Sequence, residues 1–291
     1  MESGKWMAVV AVLISIALVG CGKPAAKGNR MVVAASIAPL ANFSREVGGD
    51  RVTVKLLVPP GSNPHTYQIT PDEMEALSTA SVLVLNGIGL EFWAKGIVDA
   101  TGNPKLIVIQ TADGIPVLDH SEGEGGNPHV WLDPIDAIHQ VNAIRDAFIK
   151  ADPAHRDDYT RNAARYVAKL KQLDAYIRSQ VATFRSRSFV TFHPTWVYFA
   201  NRYGLDEAAT IESSPGKEPS PADISNAIAV AKKLHVKAIF AEPQVYPKAA
   251  NVVAEEVGAK VVMLNAFGKP PRYDYIKMMR SNVQAMGEAM R

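Results

Sequence analysis

Short apolar runs rich in β-branched residues recur along this chain, and the length of what separates them decides the fold. One set lies at 31–36, 52–57, 82–86 and 106–110, and a second at 189–192, 208–211, 238–241 and 261–264. Helical stretches fall between them, among them 40–47, 71–78 and 221–233. Neighbouring antiparallel strands need only a tight turn, whereas parallel strands need a crossover of this length. The alternation predicts an α/β chain of mostly parallel sheets with helices on both faces, and the two sets of strands predict two lobes.

The join between the sets is a single element. Apolar or aromatic side chains stand at Tyr159, Ala163, Tyr166, Leu170, Leu173, Ile177, Val181 and Phe184, always three or four apart. That spacing is one stripe of a long amphipathic helix. Asp152-Pro153 offers a capping residue followed by proline in the first turn. The predicted division is an N-terminal lobe at 31–151, a linking helix at 152–186 and a C-terminal lobe at 187–291. One stiff helix in place of a Gly/Ser linker implies lobes that move little against each other.

Composition excludes some functions. The chain has 291 residues, 21% of them charged, with a formal net charge of +2. No basic stripe suits nucleic acid, so a small ligand or a protein is the expected partner, with the chain itself a monomer. The start, "MESGKWMAVVAVLISIALVGCGK", has a short polar head, an apolar run from Trp6 to Val19, and then Gly20-Cys21. That is the layout of a secretory signal. Its end resembles a bacterial lipoprotein processing site, with Cys21, the only cysteine, as the lipidated residue. The reading is a signal peptide at 1–20, a tether at 21–30 and a mature protein anchored by lipid outside the cytoplasmic membrane.

Asn-Pro-His occurs twice, in "SNPHTYQIT" and "GNPHVWLDP". Proline holds its own φ and pushes the residue before it into extended geometry, so His65 and His129 sit at stiffened points. His193 ends the run "SFVTF", and strand ends in open α/β sheets are where ligands bind. Singly, each reads as a hydrogen-bonded loop residue. Together, facing one crevice, they read as a nitrogen site that suits zinc and accepts manganese or iron. Imidazoles must be neutral to ligate, so affinity is expected to weaken as pH falls through roughly 6.5. His120 lies in a small acidic loop read as solvated surface, His139 and His155 read as helix-surface residues, and His235 as a helix–strand corner. Asp133 either caps a helix before Pro134 or orients a ligand ring. The signatures of serine hydrolases, P-loop enzymes and zinc-protease helices are absent, although Glu242 at a strand end leaves open a metal-dependent hydrolase.

The stretches "PPGSNPHTYQITPDEMEALSTASVLVLNGIGLEFW", "NPHVWLDP", "TFHPTWVYFANRYGL", "KEPSPADI" and "AEPQVYPKAANVVAEEVGAKVVML" resemble the metal-specific solute-binding lipoproteins of bacterial ABC importers. The resemblance covers nearly the whole chain in order. It implies two lobes bridged by one rigid helix, one divalent cation in the cleft, a membrane permease as partner and no catalysis. By position it implies His65, His129 and His193 as the first three ligands. The fourth, usually an aspartate in that family, falls on Asn265, so an amide oxygen or a water would complete the site without a charge. His at the third position leans towards zinc, with manganese or iron as alternatives. An adhesin or scaffold that keeps the fold but binds metal weakly is a further alternative.

Overall fold

The computed structural model describes residues 30–119, 125–212, 216–244 and 248–291. The expected signal peptide, Cys21, most of the tether and His120 lie outside the described residues. In the first lobe β1 (Met31–Ala35), β2 (Val52–Leu56), β3 (Val82–Leu85) and β4 (Ile107–Gln110) form a parallel sheet in the order β2-β1-β3-β4. In the second, β5 (Ser188–Thr191), β6 (Asp206–Thr210), β7 (Ala238–Ala241) and β8 (Lys260–Met263) repeat that order as β6-β5-β7-β8. The strand order turns back at β1 in one sheet and at β5 in the other. In open α/β sheets that reversal opens a crevice at the carboxyl ends of the strands.

The crossovers are α1 (Ala38–Gly48), α2 (Pro71–Ser78) and α3 (Ala94–Ala100) in the first lobe. They are α6 (Val197–Tyr203), α7 (Pro221–Leu234) and α8 (Lys248–Val257) in the second. After the first sheet come α4 (Pro134–Ala151) and α5 (Arg156–Val181), and α9 (Tyr275–Met290) closes the chain. Local chemistry sets several starts. Thr70 with Glu73 and Ser220 with Asp223 form capping boxes before α2 and α7, each followed by proline at the first helical position.

The helix α5 carries the predicted stripe inward: Tyr159, Ala163, Tyr166, Leu170, Leu173, Ile177 and Val181 are all buried. It begins later than expected. Asp152 Oδ2 accepts from the Tyr159 hydroxyl at 2.7 Å and pairs with His155 Nδ1 at 2.6 Å, which winds Pro153–His155 into a separate 3₁₀ turn. One apolar core runs from Val33 and Phe43 of the first lobe through Leu170 and Ile177 to Phe189, Phe240 and Met279 of the second. Buried polar bonds cross the same seam. The Tyr275 hydroxyl donates to the Trp131 carbonyl at 2.6 Å, and Trp131 Nε1 donates to the Ala266 carbonyl at 2.8 Å. A shared, close-packed core of this kind resists relative movement of the lobes.

Candidate metal centre

Both Asn-Pro-His segments are built alike. Asn63 Oδ1 accepts the backbone N–H of His65 at 3.0 Å, and Asn127 Oδ1 accepts that of His129 at 3.0 Å. An asparagine that bonds the backbone two residues on makes an Asx turn, and the proline between them pre-sets the φ it needs. The second turn is anchored further. Asn86, just past β3, donates from Nδ2 to the Pro128 carbonyl at 2.8 Å, while Gln140 Nε2 donates to its Oδ1 at 3.0 Å. Glu91 pins the neighbouring strand ends by accepting from the Ser36 hydroxyl and the Asn86 and Gly87 amides.

His193 stands two residues beyond β5. Glu212 stands two beyond β6, and its N–H donates to the Phe192 carbonyl at 2.6 Å, carrying the parallel pairing past the strands. The pairing sets the two side chains together, with His193 Nδ1 3.0 Å from Glu212 Oε2 and both almost fully buried. Across the cleft, Asn127 Nδ2 donates to the Pro194 carbonyl at 2.5 Å and the Tyr198 hydroxyl donates to the Asn127 carbonyl at 2.8 Å. The loops of the two lobes are therefore hydrogen-bonded to each other beside the histidines.

Three rings meet there. His65 Nε2 and His129 Nε2 are 3.4 Å apart, the ring centroids are 5.1–5.3 Å apart, and one ligand nitrogen from each ring lies within 4.8 Å of the others. Zinc held tetrahedrally at about 2.0–2.1 Å sets its ligand nitrogens about 3.3–3.4 Å apart, so the first pair already stands at that spacing. The ring polarity also suits a cation. Asn127 Nδ2 must face the Pro194 carbonyl, so its Oδ1 faces His129 Nδ1 at 2.9 Å and accepts that ring's proton, leaving Nε2 as the lone pair. Glu212 Oε2 stands 3.0 Å from His193 Nδ1, on the ring edge that corresponds to the one Asn127 holds on His129.

Burial favours the neutral form of His65 and His129. Desolvation, with the His193 ring adding to it, lowers the His65 imidazole to about 3. His129 is held well below its ordinary value, chiefly by desolvation and then by the neighbouring rings. The cavity between them measures about 30 Å³, room for an ion or a water, and Glu212, Glu242 and Phe267 help to line it. Glu242 Oε1 accepts from Trp196 Nε1 at 3.3 Å, and its buried Oε2 meets no hydrogen-bond donor among the described residues. Burial pushes the Glu242 carboxyl up to about 7, with His193 pulling it back.

Asn265 is not brought to the histidines. Its Oδ1 accepts the N–H groups of Phe267 and Gly268 at 2.8 and 2.7 Å, and its Nδ2 donates to the Gly268 carbonyl. It closes a turn, and its neighbours Ala266 and Phe267 line the cavity in its place. Asp133 resolves as a helix cap: Oδ1 accepts from Ile135 N at 2.8 Å and Oδ2 pairs with Arg202 at 2.6 Å. Sequence reasoning missed Asn127 and Glu212. The repeated asparagine two residues before each histidine was the available signal for the first. For the second it was a lone carboxylate just past the strand that neighbours the one carrying His193.

The chain is 28% identical to the high-affinity zinc uptake system protein ZnuA of Bacillus subtilis (strain 168), over 98% of each protein. It is 30% identical to the manganese-binding lipoprotein MntA of Halalkalibacterium halodurans, over 94% of each. Among solved structures, a zinc-bound deletion mutant of ZnuA superposes with a TM-score of 0.83 at 32% identity, covering 90% of this chain and 98% of that one. The family described as zinc-uptake complex component A, periplasmic, matches residues 33–289, and the chain belongs to it.

Proposed function

We propose that this protein captures a divalent transition metal outside the cytoplasmic membrane and delivers it to an ABC-type permease, with zinc the preferred cargo. The observation that carries the reading is the convergence of His65, His129 and His193 at a spacing that fits one small cation. Three imidazoles suit zinc, whereas manganese and iron lean more on carboxylates. A water fills the fourth position, and Asn265 is left out of the ligand set because two backbone amides already occupy its oxygen. The role is binding without turnover, as in the solute-binding family to which the chain belongs. The protein works as a monomer, tethered by a lipid on Cys21.

Calorimetric titration of the metal-stripped protein with Zn²⁺ and with Mn²⁺ tests this. One equivalent of zinc bound far more tightly than manganese supports the reading. Tighter manganese would move the cargo to that metal, and weak binding of both would remove the transport role. Replacing Cys21 with serine tests the anchor, because the protein should then leave the membrane fraction.

A further inference from the structure

Imidazole ligands bring no negative charge to offset the double charge of a cation in a buried cavity, and burying an unpaired charge is costly. We infer that Glu212 is the residue that answers that charge, as a positioning carboxylate acting through the His193 ring. The inference rests on the metal-binding reading above. Its geometry is specific. Glu212 is held at both ends: its N–H by the Phe192 carbonyl at 2.6 Å, and its Oε1 by the Gly216 N–H at 3.0 Å. Only Oε2 is left to face His193 Nδ1, at 3.0 Å, with both side chains 7% exposed. A carboxylate so placed fixes which nitrogen carries the proton, aims Nε2 into the cavity and makes that ring the more basic ligand.

The three rings are therefore not equivalent. His129 Nδ1 leans on the neutral amide oxygen of Asn127, and His193 on an anion. Asn265 is uncharged and its oxygen is taken by the Phe267 and Gly268 amides, so negative compensation comes from the second lobe's sheet edge.

Glu212→Gln keeps the shape and an acceptor oxygen but removes the charge. Glu218→Gln removes the same charge from the exposed loop nearby and serves as the control. Zinc affinity should fall about 10- to 100-fold in Glu212→Gln, the range seen for partners of metal-bound histidines, and stay unchanged in Glu218→Gln. Glu212→Asp should recover part of the loss. With Co²⁺ as a spectroscopic probe, the ligand-field bands of Glu212→Gln should keep the wild-type pattern, since the directly bound atoms are the same. Equal zinc affinity in Glu212→Gln and wild type, an equal loss in Glu218→Gln, or a changed coordination number in the Co²⁺ spectrum would each overturn the assignment. Failure of the wild-type protein itself to bind zinc would instead remove the metal-binding reading.

Discussion

Asn127 serves His129 twice, accepting its backbone N–H at 3.0 Å and lying 2.9 Å from Nδ1 of its ring. A third bond, from Nδ2 to the Pro194 carbonyl, ties the same side chain to the loop that carries His193. One buried asparagine therefore sets the backbone, the tautomer and the neighbour of two candidate ligands. Asn127→Ala should lower zinc affinity by about 10- to 100-fold. It should also cost about 1–3 kcal/mol in stability, because buried groups lose their partners. Zinc titration and urea denaturation of the variant measure the two effects separately.

The pH behaviour follows from opposed shifts. His65, lowered to about 3, and His129, lowered in the same direction, bind protons in the unfolded chain that they refuse when folded. Their contribution to stability is complete above roughly 6.5 and is lost as pH falls towards the folded values. Glu242 and Glu207 are raised by burial to about 7 and about 8, so theirs is complete below roughly 4.5 and is lost as pH rises through those values. Burial also raises Asp136, to about 6, and Glu91 and Asp133, so the raised carboxyls outnumber the two imidazoles and the metal-free protein is predicted to lose stability as pH rises from about 4.5 to 8, checked by thermal melts across pH 3–9.

Zinc affinity follows the same logic. The sequence alone suggested a loss through about pH 6.5; burial of His65 and His129 moves their share of it to lower pH. Calorimetry at pH 7, 6 and 5 checks this. A drop of about a hundredfold between pH 6 and 5 would show that two rings titrate at the ordinary value.

Asp133→Ala separates a scaffold residue from a site residue. The change removes the α4 cap and the ion pair that reaches Arg202 on α6 in the other lobe. The expected cost is about 2 kcal/mol, mostly from the cap because Arg202 is partly exposed. Zinc affinity should change by less than about threefold, since Asp133 bonds Ile135 and Arg202 and neither histidine ring, whereas a site residue of the Asn127 kind would cost tenfold or more.

Leu170 is fully buried in the core that both lobes share. Leu170→Ala should cost about 2–5 kcal/mol and lower one cooperative transition as a whole. Two resolved calorimetric transitions would show that the lobes fold independently.

The parts of the molecule legible in sequence were those governed by short-range pattern. The eight strands among the described residues lie where the apolar runs fall, and the α5 stripe from Tyr159 to Val181 is buried as its spacing required. His65 and His129 were marked by a stiff local motif, and His193 by its place at a strand end. What stayed hidden depends on contacts between distant segments. Glu212 reaches His193 only because the β5–β6 pairing shifts register between Phe189 and Val190 and then runs Val190 against Ala209 and Thr191 against Thr210, which no local signal reports. Asn265 falls at the ligand position that the resemblance implies, yet the turn it closes onto Phe267 and Gly268, the glycine at φ 83°, takes its oxygen. An Asn with a Gly three residues on was the local sign of that turn.

X-ray absorption at the zinc edge of the loaded protein tests the central claim most directly. The account predicts three imidazole nitrogens and one light oxygen donor at about 2.0–2.1 Å, with His193→Ala reducing the imidazole count to two. A first shell with fewer than three imidazoles, or one unchanged in His193→Ala, would contradict it.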